Sequence, residues 1–319
     1  MNKKRALLIA KVSTENRKSG ISNRVEEISD FLNEMGFEVE ISSNSSSSKS
    51  DYYDLICISS FSNASHILSA RSRCDFLWFD AMDSWRLTRK TLFLHNPPKE
   101  FLKVLRDGFG RLFVRLPDLI TYCSRRDSAA DKSDKRKTLI LGPVGNRGIE
   151  KKDFGRRYVF VGPSHYFPNQ EAVRFLFKLA RLGIFQETKL HLYGASDKYK
   201  DSHVDVYVHG LSEDSELYGV SDIHLVPIWK GVGIKYKTFT PLSLGIKVIS
   251  TREGANGLNT NPSLIICNSK EDFLYALCNV EPVSAHPNKI VPLLEMDQRE
   301  IVRVRIAERF NDFGKPNVG

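Results

Sequence analysis

Residues 224–258, HLVPIWKGVGIKYKTFTPLSLGIKVISTREGANGL, constrain the fold more than any other stretch of the chain. They read as strand, glycine loop, basic helix, strand and second glycine loop. His224 to Pro227 is a short apolar strand closed by proline, and Gly231 and Gly233 allow the backbone to turn tightly and to approach a ligand closely. Ile234 follows, and Lys235 and Lys237 fall in the first turn of a helix expected to run to about residue 244, where unpaired N–H groups and the helix dipole favour phosphate. Gly245 ends that helix, residues 247–250 form the next buried strand, and a second turn carrying Glu253 and Gly254 follows at the same edge. In open α/β sheets this edge is where ligands bind. Spacing alone leaves two readings open, a phosphate site or a common Gly-x-Gly turn with two lysines on a solvated helix face.

Length suits two such sheets, because 319 residues divide into two α/β domains of about 150 residues each. The composition, 41% hydrophobic and 27% charged, is that of a soluble globular protein. No apolar run approaches the roughly 20 residues that span a bilayer, and the basic start followed by a short apolar stretch reads as a first strand rather than a signal peptide. The five cysteines, Cys57, Cys74, Cys123, Cys267 and Cys278, have no Cys-x-x-Cys spacing. That argues against a disulfide framework or a zinc site and fits a reducing, cytoplasmic setting. The net charge of +9 implies an acidic partner. The densest basic segment, residues 99–115, interleaves Lys103, Arg106, Arg111 and Arg115 with apolar residues at near-helical spacing. It suits either an anionic membrane surface or a core-packed helix with a basic outer face. Nucleic acid is disfavoured, since no helix-turn-helix, RNP or zinc-finger spacing accompanies the charge.

Strand and helix patterns alternate along the whole chain, which argues for parallel sheets. In the first half, strands are expected at 5–11, 37–42, 53–59, 76–80 and 119–123, with an amphipathic helix at 21–35 and a serine-rich loop at 42–50. In the second half strands are expected at 157–161, 189–193 and 204–209, and helices at 170–182 and 213–220. The glycine-rich, charged stretch between the halves reads as a linker. The expected organisation is a first domain at 1–145, a linker at 146–155, a second domain at 156–300, and a helix and tail at 301–319. Histidines 95, 191, 209 and 224 have no metal-ligand spacing and are read as structural. There is no G-x-S-x-G elbow, three-glycine dinucleotide fingerprint or Walker A lysine motif.

The 231–251 stretch resembles the donor-binding segment of GT-B glycosyltransferases of the family 4 (group 1) type, with Gly231, Gly233, Ile234, Lys235, Lys237, Phe239, Gly245, Val248 and Thr251 at matching places. YVFVGPSHYFPNQEAVRFL and VHGLSEDSELYGVSDIHLVPI resemble that family's F-V-G-x-x-x-x-x-P-N-x-x-A-V-x-x-L segment and the V-x-G segment that follows it. More loosely, residues 18–24 around Gly20 resemble its first glycine turn, and FDAMDS its D-x-H-D segment. The resemblance implies an α/β fold of two Rossmann-like domains facing a central cleft. It also implies transfer of a sugar from a nucleotide diphosphate sugar to a glycan or lipid-linked acceptor, with retention and without a bound metal or other cofactor.

On that resemblance, Gly162 lies in the donor cleft, the base lies against the backbone after Gly210, at Leu211, and the diphosphate lies against Lys235, Lys237 and the loop amides; His165, in the glycine turn at the strand end, is either a donor to phosphate or sugar or an ordinary loop histidine. Asp80 and Asp83 are the matching aspartates of the D-x-H-D segment, Asp83 being the catalytic candidate, and the residues alone also allow both to be caps after a strand. The sequence departs from the family in two places. Met82 replaces a histidine near the donor sugar, and Thr240 replaces the glutamate that accepts hydrogen bonds from ribose, leaving Glu253 as a candidate substitute. A bacterial cell-surface glycan built at the inner membrane face is the family-level expectation, together with peripheral contact with an anionic membrane and no nucleic-acid partner. The second reading is a degenerate GT-B protein that binds or scaffolds beside an active transferase.

Overall fold

A computed structural model describes residues 3–10, 20–43, 51–93, 113–132, 134–145, 148–163, 166–195, 199, 203–210, 212, 214–280 and 293–310. The chain divides into two compact units, Met1–Pro143 with Met296–Gly319, and Val144–Glu295.

The first unit is a six-stranded parallel sheet in the order β2-β1-β3-β4-β5-β6, formed by β1 (Lys4–Ile9), β2 (Phe37–Ser42), β3 (Tyr53–Ser59), β4 (Cys74–Met82), β5 (Leu119–Tyr122) and β6 (Thr138–Ile140). Its helices are α1 (Gly20–Glu34), α2 (Ile67–Arg71), α3 (Trp85–Phe93) and α4 (Arg125–Asp131). The central strands are apolar runs because helices cover both faces. Alternation along β1 sends Ala6 and Leu8 to a core shared with Val25, Phe31 and Trp78, and Leu7 and Ile9 to a second core with Ile56, Ile67 and Phe79. At the carboxyl end of β4, Asp80 is fully buried. It takes two hydrogen bonds from Arg24 at 3.0 and 2.7 Å and one from Thr121 Oγ1 at 2.6 Å, so it holds α1, β4 and β5 together.

Helix α3 begins on an internal anion. The Asp131 carboxylate accepts from Ser84 Oγ at 2.7 Å and from the backbone N–H groups of Trp85 and Arg86 at 3.0 Å each, filling the positive end of the helix.

The second unit is also a six-stranded parallel sheet, β12-β11-β10-β7-β8-β9. Its strands are β7 (Tyr158–Val161), β8 (Leu190–Tyr193), β9 (Val206–His209), β10 (Ile223–Val226), β11 (Lys247–Thr251) and β12 (Leu264–Cys267). Counted from β7, the order is 3-2-1-4-5-6, the doubly wound nucleotide-binding arrangement, with its switch point between β7 and β10. The helices are α5 (Phe167–Arg181), α6 (Asp214–Leu217), α7 (Tyr236–Ser243) and α8 (Lys270–Asn279), the last closed by a Ser269/Asp272 capping box.

Two boundaries differ from the sequence expectation. The stretch read as a linker is packed onto the second unit: Lys152 N–H donates to Tyr218 O at 3.2 Å, Val220 N–H donates to Lys152 O at 2.9 Å, and Ile149 packs beside Tyr193 and Tyr218. Residues 296–300, expected in the second domain, belong to the first unit. There α9 (Arg299–Phe310) inserts Val302 and Ile306 into the core of α1 and β1. The preceding residues dock on the edge of β6: Gln298 N–H donates to Ile140 O at 2.7 Å, and Ile140 N–H donates back to Gln298 Oε1 at 2.8 Å. An otherwise open sheet edge is thereby covered. The basic segment 99–112 lies outside the described residues, and among those described no helix is long and apolar enough to cross a membrane.

Candidate functional site

The switch point of the second sheet is framed by the turn after β7, Gly162 and Pro163, and by the loop after β10, Pro227 to Ile234. Helix α7 starts later than the sequence suggested, at Tyr236. Lys235 is therefore its N-cap, with extended backbone, and Lys237 is the second helical residue.

The two lysines have different surroundings. Lys235 folds back on its own loop, donating to Val232 O at 2.8 Å and Gly233 O at 2.9 Å, and its ammonium lies 3.6 Å from the Glu253 carboxylate. Gly231 gives this fold-back room, since a Cβ there would lie 3.0 Å from Lys235 Cε. Lys237 reaches across the switch point instead, donating to Asn169 Oδ1 at 2.5 Å and lying 4.9 Å above the Phe160 ring centroid. Among the described residues no carboxylate forms an ion pair with Lys237. Desolvation, and secondarily the neighbouring Lys235 ammonium, lowers the Lys237 pKa from 10.5 to about 7, although the side chain keeps partial exposure.

Gly162 lies directly against this lysine. A Cβ there would lie 2.5 Å from Lys237 Nζ and 2.8 Å from Asn169 Nδ2. The glycine loops after β10 and β11 are knitted together by Thr238 Oγ1 donating to Gly254 O at 2.7 Å, Gly254 N–H donating to Thr251 Oγ1 at 3.0 Å, and Thr251 Oγ1 donating to Ile228 O. Gly233 takes a left-handed φ of 68°, which closes the first loop.

Ile234 packs on the main core of the second unit, and Gly210 O accepts from Gly194 N–H at 3.0 Å with open space where a Cβ would stand. Thr240 is half-buried on α7, one turn beyond Tyr236, and its carbonyl accepts from Ser243 Oγ at 2.7 Å. Glu253, a candidate ribose partner, has its carboxylate on Lys235. Gly20 opens α1 and Asp83 follows β4, both in the first unit. Met82 just before Asp83 has a left-handed φ of 60°, a strained conformation for a non-glycine residue. His165 and Leu211 lie outside the described residues.

Sequence reasoning missed Asn169. It belongs to the quoted P-N pair, but its meaning depends on a lysine 68 residues away. It also missed an aromatic stack beside the site's sheet. The ring of His209 stacks on Tyr193 at 4.4 Å, and its Nε2 lies 3.0 Å from His191 Nδ1. Arg157 donates to Tyr193 Oη at 3.1 Å and grips Asp222 at 2.9 and 2.7 Å. Burial and the Arg157 guanidinium hold His191 neutral, with its pKa lowered to about 4. Among the described residues no group of three or more His, Cys, Asp or Glu side chains is placed to hold a metal.

No family model matches the chain, and no curated protein matches it. Solved structures do. The E. coli structure described as trehalose-6-phosphate bound with UDP-2-fluoro glucose is 11% identical, covers 96% of this chain and 94% of its own, and superposes with a TM-score of 0.58. The T4 phage BGT in complex with UDP and Mn2+ is 11% identical over 97% of this chain and 98% of its own, with a TM-score of 0.49. The first likeness, together with the two parallel six-stranded sheets, gives the fold as α/β with two Rossmann-like units, the GT-B class.

Proposed function

We propose that the chain is a glycosyltransferase whose donor is a nucleotide diphosphate sugar and whose acceptor is a glycan or a lipid-linked glycan. The observation that carries this reading is the Lys237 ammonium. It stands at the switch point of a 3-2-1-4-5-6 sheet, beside a glycine turn, with a neutral amide and an aromatic face as its partners. Such a cation suits a group whose negative charge grows as the reaction proceeds, as the leaving diphosphate's does. Lys235 supports the site differently: it ties the Gly231–Gly233 loop into shape and raises the local positive potential. The proposed donor set is Gly162, Gly231, Gly233, Lys235, Lys237 and Gly254, with Gly210 and Ile234 in the same unit; the resemblance alone adds His165, Leu211, Gly20 and Asp83. Retention of configuration, independence from metal, a family 4 affiliation, a cytoplasmic setting with peripheral contact at the inner membrane face, and a role in cell-surface polysaccharide synthesis all rest on the resemblance described above.

Thr240 favours a second reading. A threonine hydroxyl offers ribose one acceptor where a carboxylate offers charge and two oxygens, which weakens nucleotide binding by about 1–3 kcal/mol. A chain so altered could bind a donor, or a partner transferase, without turning over.

Calorimetry with UDP, GDP and ADP, with and without EDTA, followed by a donor screen with product analysis, separates the two. Micromolar binding of one diphosphate, lost in Lys237→Met and strengthened in Thr240→Glu, together with a transferred sugar, supports the enzyme. Binding without transfer from any donor supports the second reading, and absence of all nucleotide binding overturns both donor-site assignments.

A further inference from the structure

We propose that Asn169 is the positioning residue of this site: its amide oxygen holds the Lys237 ammonium in place for an anionic ligand while its amide nitrogen fixes the Gly162–Pro163 turn. The inference rests on the donor-site reading above for the nature of that ligand, but the pairing itself rests on geometry.

Asn169 is 2% exposed and is the third residue of α5. Its Nδ2 donates to Pro163 O at 2.8 Å, and its Oδ1 accepts from Lys237 Nζ at 2.5 Å. A backbone carbonyl can only accept and an ammonium can only donate, so the amide has one permitted orientation. Few side chains satisfy both partners. Aspartate would set an acceptor against the Pro163 carbonyl, leucine would leave both unanswered, and glutamine is longer by a methylene. The turn closes directly onto the pair, since a Cβ on Gly162 would push both Lys237 Nζ and Asn169 Nδ2 aside.

The neutrality of Asn169 gives this arrangement its use. A carboxylate at 169 would aim the ammonium equally well and would cancel its charge, whereas the amide aims it and leaves the charge for a ligand. The groups around Lys237 are consistent with this. Phe160 lies beneath it, the glycine turn beside it, and its charged neighbour is Lys235, which the Glu253 carboxylate already faces. Asn169 also favours the charged form by accepting from it, against desolvation and Lys235, which lower the pKa to about 7.

Two measurements test this on the full chain. The first needs no ligand: the pH profile of Lys237 labelling by an amine-reactive ester, read by peptide mass spectrometry. The wild-type midpoint is expected near the value of about 7. Asn169→Ala should move it down and Asn169→Asp up, each by about one unit or more. The second is calorimetric titration with the nucleoside diphosphate that binds, run in two buffers of different ionisation enthalpy. Wild type should take up protons on binding at pH 7. Asn169→Asp should lose that uptake and bind at least about tenfold more weakly, despite exchanging only a nitrogen for an oxygen. A residue that merely packs would change melting temperature and leave both pH readouts alone. Labelling profiles of both variants that superpose on wild type overturn the proposal. If instead the profiles shift and no nucleoside diphosphate binds wild type, the donor reading fails while the Asn169–Lys237 pairing stands.

Discussion

Replacing Gly162 by alanine adds one methyl group at the place where the switch point is tightest. Gly162 is not among the glycines with positive φ, so alanine meets no backbone strain, and the effect is steric alone. The new Cβ would lie 2.5 Å from Lys237 Nζ, against an ordinary contact of 3.4–4 Å, so the ammonium must withdraw by about 1 Å. Lysine is flexible enough to do so, and Asn169 Nδ2, 2.8 Å from the methyl group, must shift as well. The folding cost should therefore stay near about 1 kcal/mol. Binding should suffer more. The displaced ammonium loses its acceptor on Asn169 and its aim at the ligand, and one charge-assisted hydrogen bond is worth about 1.5–3 kcal/mol, equivalent to a roughly tenfold to 150-fold weaker Kd. Calorimetry with the nucleoside diphosphate at pH 6.5, beside thermal melts of wild type and variant, makes the comparison. Equal affinity for Gly162→Ala and wild type, with intact melts, would refute the assignment of Lys237 to the ligand.

Two further predictions concern stability. His224 is fully buried on β10, its Nε2 has no hydrogen-bond partner, and desolvation lowers its pKa from 6.5 to about 4. The folded state thus keeps it neutral while the unfolded state protonates below pH 6.5, so stability should fall as pH drops from 6.5 toward 4, by about 3 kcal/mol in all. Urea unfolding followed at 19F-labelled Trp229, the tryptophan of the second unit, should show this loss, and His224→Phe should reduce it by that amount while the loss due to His191 remains; an unchanged pH slope in that variant would count against the burial argument. In the first unit, Asp131→Asn should cost about 2 kcal/mol by removing the carboxylate from the start of α3. The same method applied at Trp85 reads it, and a loss below a few tenths would mean that water replaces the carboxylate freely.

Much of the fold could be read from the chain because parallel strands buried on both faces have few ways to be written. Runs such as LWFDAM in β4 and VIST in β11 are too apolar for a surface, and Gly254 and Gly257 after β11 mark the ligand edge. The start of α5 was harder to read. Phe167 and Pro168 look like the end of a turn, yet proline in a first helical turn needs no N–H partner, so the helix begins there and carries Asn169 at its third position. Strands β6 and β12, three and four residues long, carry too little pattern to be recognised by themselves. Lys235 and Lys237 look equivalent in sequence, two residues apart in one basic turn. Only the tertiary approach of Asn169 to one and Glu253 to the other tells them apart.

The docking of 296–310 on the first unit has a consequence for how the chain is made. Val302 and Ile306 complete a core whose other members are all synthesised before residue 143, and Gln298 closes the free edge of the same sheet. At about 5–20 residues per second, the ribosome needs on the order of ten to thirty seconds to add the intervening unit. Throughout that interval the earlier sheet stands with part of one apolar face uncovered and an unpaired edge strand. The half of the protein that emerges first is therefore the half that finishes last, and nascent chains stalled between the two segments would be the species that chaperones meet.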